Sequence, residues 1–200
     1  MYTPEVRVPI FPLHTVLFPG GPLPLRIFET RYIDMISERM RNDAAFGVLL
    51  IKDGHEAGTS TSYEVGTLAR IADWYQGSDG LLGVTAIGEG RFQLVSAEQQ
   101  ADGLYIGEIE LLPDEEAMVL PDEYKGMAKI LEGVLNDLGR LYESLQSNYD
   151  DAGWVTSRFM EILPIDLEQK QQCLEQADPA ERLKLVSALL ETVRTPTPLG

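Results

Sequence analysis

Tyr105-Ile106-Gly107-Glu108-Ile109-Glu110-Leu111-Leu112-Pro113-Asp114-Glu115-Glu116 is the stretch at which this 200-residue sequence changes character. Up to Leu111 the apolar Tyr105, Ile109 and Leu111 alternate with Glu108 and Glu110, the period of a half-buried strand. Past Leu112 the alternation stops, and prolines and carboxylates run on through Leu120-Pro121-Asp122-Glu123. We read residues 1–112 as a β-rich subdomain, 113–123 as a solvated acidic linker and 124–194 as a helical subdomain. The tail 195–200, Thr-Pro-Thr-Pro-Leu-Gly, has nothing to bury and is expected to be disordered.

Upstream of the boundary, Val6, Val8 and Ile10 alternate, as do Phe92 and Leu94 around Gln93. Pro19-Gly20-Gly21-Pro22, Lys52-Asp53-Gly54, Gln76-Gly77-Ser78-Asp79-Gly80 and Gly88-Glu89-Gly90 read as turns able to supply positive φ. One helix is expected from about Thr30 to Arg41, with Thr30 as N-cap and Ile33, Ile36 and Met40 facing a sheet that it covers. Downstream, Met127, Ile130, Leu131, Val134, Leu135, Leu138, Leu141, Tyr142 and Leu145 keep helical spacing over five turns. Gly126, Gly133 and Gly139 lie on that run and are expected to allow close packing. A second helix carries Trp154, Val155, Phe159 and Ile162 and stops before Pro164. Asp166 with Gln169, and Asp178 with Pro179 and Glu181, mark two further helix starts. The fold class is therefore α+β: a barrel or folded sheet with one inserted helix, then a small helical bundle.

Composition excludes several functions. With 32 acidic and 16 basic residues the net charge is −16, which repels phosphate backbones and anionic lipid, so nucleic acid is a disfavoured partner. A single cysteine, Cys173, permits no disulfide within the chain and reads as a buried, inert thiol in a reducing, cytoplasmic setting. The two histidines, His14 and His55, lie far apart, and we expect no metal, no cofactor and no catalytic residue. The start of the sequence has no signal-like run and no stretch suits a membrane span, so the chain reads as soluble and unprocessed.

The blocks Ile10-Phe11-Pro12-Leu13, Val16-Leu17-Phe18-Pro19-Gly20 and Pro24-Leu25-Arg26-Ile27-Phe28-Glu29-Thr30-Arg31-Tyr32 resemble the opening signature of the Lon amino-terminal domain family. Phe46 to Leu50, Tyr63-Glu64-Val65-Gly66-Thr67 onward, and Gly88-Glu89-Gly90-Arg91-Phe92 match its later blocks in order and spacing, and Leu163-Pro164 resembles the helical end of stand-alone bacterial members. The resemblance implies a PUA-like β subdomain and a protein-binding role. In full Lon proteases the module precedes an ATPase and a peptidase. Neither fits in 200 residues, and no Gly-x-x-x-x-Gly-Lys-Ser/Thr loop occurs. With one cysteine, the zinc-binding domain of the family's eukaryotic relative is excluded too.

Most motif residues read as structural: Phe18, Pro19, Gly20, Pro24, Phe28, Glu29, Arg31, Tyr32, Gly66, Thr67, Gly88, Gly90, Arg91 and Phe92. Phe28 leads into the helix and can cover the sheet, and the alternative reading of Glu29 and Arg31 is an ion-paired brace with Arg26 at the helix start. Candidate peptide contacts are Trp74 and Tyr75, before a glycine-rich turn, and Trp154. Each ring has two readings, core or contact. The function implied is a non-catalytic module for unfolded or extended polypeptide, or for a protein partner, binding in a groove between the halves or by strand addition. The alternatives are a PUA-like RNA binder and an accessory protein that shares only the peptidase family's name.

Overall fold

The computed structural model describes residues 6–56, 60–143 and 145–194. It divides at Asp114/Glu115 into two compact units. The expected tail lies outside the described residues.

Among the described residues of the first unit seven strands form one mixed sheet, mostly antiparallel. They are β1 (Val6–Leu13), β2 (Pro22–Ile27), β3 (Phe46–Gly54), β4 (Ser60–Ser62), β5 (Val65–Gln76), β6 (Leu82–Gln99) and β7 (Tyr105–Leu111). β1 pairs with β7, β7 with β6, β6 with β5 and β5 with β3; β3 then returns parallel to β1 and closes the circuit. β2 adds to the first half of β6, and β4 to the end of β3.

The circuit is narrow, and glycine makes room inside it. Phe92, fully buried, packs with Val8, Ile10, Leu49 and Ile109. A Cβ on Gly47 would lie 2.7 Å from Ile10 Cδ1 and 2.9 Å from Phe92 Cζ, and one on Gly66 would be 2.6 Å from Leu49 Cδ2 and overlap the Val48 carbonyl. Thr67, also fully buried, donates its hydroxyl to the Leu17 carbonyl at 2.6 Å. The Gly66-Thr67 pair thus fixes both packing and chain path.

Gly88-Glu89-Gly90 is not the turn expected from its glycines. It lies within β6, where Thr67 opposes Arg91 but Ala69 opposes Gly88, so two residues of β6 face one of β5. Glycine suits such a bulge. Gly88 also exchanges hydrogen bonds with the Pro19–Pro22 turn, accepting from Gly20 at 2.8 Å and donating to Gly21 at 2.9 Å.

Helix α1 (Thr30–Arg41) has the expected span, but its N-cap is Glu29, and Thr30 is the first helical residue. Its buried residues are Tyr32, Met35 and Ile36, whereas Met40 is exposed. Tyr32 stacks on Phe11 with ring centroids 3.9 Å apart, and this fixes which face turns inward. Arg31 pairs with Glu29 at 2.8 Å, donates to the Gly103 carbonyl at 2.7 Å and lies over the Tyr32 ring. Arg26 is absent from this brace and pairs with Asp79 in the β5–β6 turn.

Phe28 does not cover the sheet: it is 66% exposed. Leu23 and Ile27 of β2 are buried and Leu25 packs against the same core, so alternation sends Pro24, Arg26 and then Phe28 outward.

The second unit holds α2 (Lys125–Leu138), α3 (Arg140–Glu143), α4 (Ala152–Ile162), α5 (Leu167–Glu175) and α6 (Pro179–Arg194). The expected five-turn helix breaks at Gly139, whose φ of 63° leaves the helical region. Nothing would lie within 4 Å of a Cβ on Gly126, Gly133 or Gly139, so these glycines face open space, contrary to the close-packing expectation. Asp151, Asp166 and Asp178 cap α4, α5 and α6 by accepting from Trp154, Gln169 and Ala180 backbone N–H groups.

The stretch expected to be a solvated linker is tied into this unit. Met118 accepts from the Ala152 N–H at 2.8 Å, Leu120 donates to Asp150 at 2.7 Å, and Leu120 is buried. The Glu115 carboxylate forms a two-pronged pair with Arg182, itself fully buried. Arg182 Nε also donates to Thr156 Oγ1 at 3.0 Å. Local composition read Glu115 as solvated because its partner lies 67 residues away.

Candidate polypeptide-binding site

In the first unit the candidate rings stand at the far end of β5, where β5, β6 and β2 run side by side. Trp74 faces Val84 and Tyr75 faces Gly83, while Arg26 of β2 faces Gly83 from the other side. Trp74 is 56% and Tyr75 55% exposed, so neither is core. The Tyr75 ring lies across the bare backbone of Gly83, where a Cβ would overlap it. That contact holds the ring on the sheet surface while leaving its outer face open.

Trp74 borders a cleft of about 270 Å³ with Arg39, Met40, Asp43, Arg70 and Ile71. Arg70 donates to Glu89 Oε1 at 2.6 Å and to Asp43 Oδ1 at 2.9 Å. The hydrogen bonds to Glu89 and then Asp43 raise the Arg70 pKa above its ordinary value, so this guanidinium stays charged.

Phe28 belongs to the same neighbourhood. It follows Ile27, which pairs with Leu82 at the start of β6, and so sits beside the turn that Trp74 and Tyr75 precede. Motif membership had marked Phe28 as structural. The signal that finds it is the alternation of Leu23, Leu25 and Ile27.

β2 has β6 as its only partner strand among the described residues, so its other edge is open. Pro22 and Pro24 lack backbone N–H groups, which an edge strand tolerates on the side turned away from its partner. Such an edge is a poor template for an added strand. Side-chain surfaces are the better ligand contacts at this end.

Trp154 belongs to the second unit. Half-buried in the first turn of α4, it meets Tyr149 edge-on at 4.9 Å between ring centroids, and the Arg158 guanidinium lies 5.7 Å from its centroid. Beside it Glu161 accepts from Arg158 Nη2 at 2.5 Å and from the Tyr142 hydroxyl at 3.2 Å, while Lys170 donates to its main-chain carbonyl at 3.0 Å. Burial pushes the Glu161 carboxyl up to about 7 against the opposing pull of Arg158.

His14 and His55 are exposed. Cys173 is fully buried, and burial pushes its thiol up to about 12, which makes it a poor nucleophile. Among the described residues no three His, Cys, Asp or Glu side chains gather as metal ligands do, and no helix is long and apolar enough to cross a membrane.

Residues 7–192 match the model of the ATP-dependent protease La (LON) substrate-binding domain. The Lon protease of Anaeromyxobacter dehalogenans is 26% identical over 195 residues, covering 94% of this chain and 23% of that protein. Lon protease 2 of Myxococcus xanthus is 28% identical over 200 residues, covering 96% of this chain and 24% of that protein. The chain thus spans about a quarter of the length of these relatives. The crystal structure of a Lon N-terminal domain protein from Xanthomonas campestris superposes with a TM-score of 0.75 at 33% identity, covering 92% of this chain and 98% of that one. The chain belongs to the LON substrate-binding domain family.

Proposed function

We propose that this chain is a non-catalytic, cytoplasmic polypeptide-binding module of PUA-like type, and that Phe28, Trp74 and Tyr75 are its anchors on the β unit. The observation that carries the reading is the exposure of all three rings at one end of β2, β5 and β6, in a family named for substrate binding. Large rings left in water at one place are the usual mark of an interaction surface, and aromatic anchors dominate many interfaces. The prolines of β2 favour contact through side chains over strand addition. Rings exposed on both faces of this end of the sheet favour weak and tolerant binding, as a substrate-collecting module requires.

The test is fluorescence anisotropy of a labelled, reduced and carboxymethylated model protein, titrated with wild type and with Phe28→Ala, Trp74→Ala and Tyr75→Ala. Exposed positions leave the fold intact, which circular dichroism checks. Each true anchor should weaken binding by about 2 kcal/mol, roughly thirtyfold. Wild-type affinity in all three variants would refute the anchors. A wild type that binds RNA but no polypeptide at physiological salt would replace the reading with an RNA-binding one.

A further inference from the structure

The helical unit has a cleft of its own, of about 300 Å³, with Leu135, Tyr142, Glu143, Leu145, Tyr149 and Trp154 in its lining. We propose that this cleft receives the cationic side chain of a lysine or arginine in a bound polypeptide. The proposal rests on the polypeptide reading above and adds the chemistry of one part of the ligand.

Three observations point to a cation. The first is shape and composition. Two leucines in the lining provide apolar contact for an alkyl stem, and three aromatic rings in the lining carry π-systems that attract a positive charge. The second is charge. Glu143 lines the cleft, and after burial it is Glu132 whose negative charge raises the Tyr149 phenol, so a second carboxylate acts on this wall. Residues 115–200 carry 16 acidic and 8 basic side chains, and two of the eight, Arg158 and Arg182, are fully buried against carboxylates. The field around the cleft is therefore negative. The third is the behaviour of Trp154, which already has a guanidinium over its ring: Arg158 approaches from the protein interior and does not line the cleft. An anionic side chain would instead meet Glu143 with like charge.

The experiment uses the full chain and three labelled Gly/Ser peptides of equal length, carrying lysine, glutamine or norleucine at the same positions. Anisotropy gives the affinities for wild type, Glu143→Gln, Trp154→Leu and Trp74→Ala. The expected result is a lysine peptide bound about tenfold tighter than its glutamine counterpart. The gap should close in Glu143→Gln and Trp154→Leu, whereas Trp74→Ala weakens lysine and glutamine peptides alike. Glu143 is exposed, so its variant keeps the test open if Trp154→Leu does not fold. Norleucine binding as tightly as lysine overturns the proposal. So does a lysine preference unchanged in Glu143→Gln, which would be general attraction to an acidic protein. Equal binding of lysine and glutamine peptides overturns it while leaving the polypeptide reading standing; absence of binding to all three removes both.

Discussion

Replacing Glu115 with alanine should destabilise the helical unit by about 3 kcal/mol. Arg182 is shut off from water: its side chain is 0% accessible, and Glu115 is its sole ion-pair partner among the described residues. Without that carboxylate the guanidinium keeps Thr156 Oγ1 at 3.0 Å and the Gly153 carbonyl at 3.3 Å, two neutral acceptors for a whole charge. Removing one partner of a buried pair costs about 3 to 5 kcal/mol. Glu115 retains 19% side-chain exposure, so water can follow the cut, and the lower figure applies. The assay is urea unfolding followed by tryptophan fluorescence. Each unit has one tryptophan, so Trp74→Phe leaves Trp154 as the reporter of the helical unit. With a slope of about 1 kcal/mol per molar urea the midpoint should fall by roughly 3 M. Glu115→Gln, which keeps an acceptor, should lose less, and Glu116→Ala, at an exposed neighbour, should stay within about 0.5 kcal/mol. A loss below about 0.5 kcal/mol for Glu115→Ala would show that the pair is solvated and the reasoning wrong.

Two further outcomes are expected. Gly66→Ala should lower the melting temperature of the β unit steeply, by overpacking of about 1 to 3 kcal/mol, because its Cβ meets the Val48 carbonyl and Leu49; a melting curve like wild type would refute the tight packing. Glu161 is held protonated by burial up to about pH 7, so the unfolded chain ionises first: its contribution is fully present below about pH 4.5 and is lost as pH rises through about 7. The stability difference between wild type and Glu161→Gln, from urea midpoints across that window, should therefore change with pH, and a flat difference would contradict it.

Much of the fold is a local matter, and the sequence by itself determined it. Period-two runs at Val6–Ile10 and Tyr105–Leu111 and the three-and-four spacing after Met127 separate a β part from a helical part, because burial of one face imposes those periods on neighbours in the chain. Asp166 and Asp178 announce their helices since a cap bonds within three residues. The sequence leaves Trp74 and Tyr75 open between core and contact, since a ring's surroundings come from other strands. Tertiary structure alone decided the rest. Gly88-Glu89-Gly90 is a bulge and not a turn because β5 lies opposite it, and Phe28 points outward because β2 buries the other face. Glu115 leaves the solvent because Arg182, far along the chain, needs a counter-charge where water does not reach, and no local pattern carries that demand.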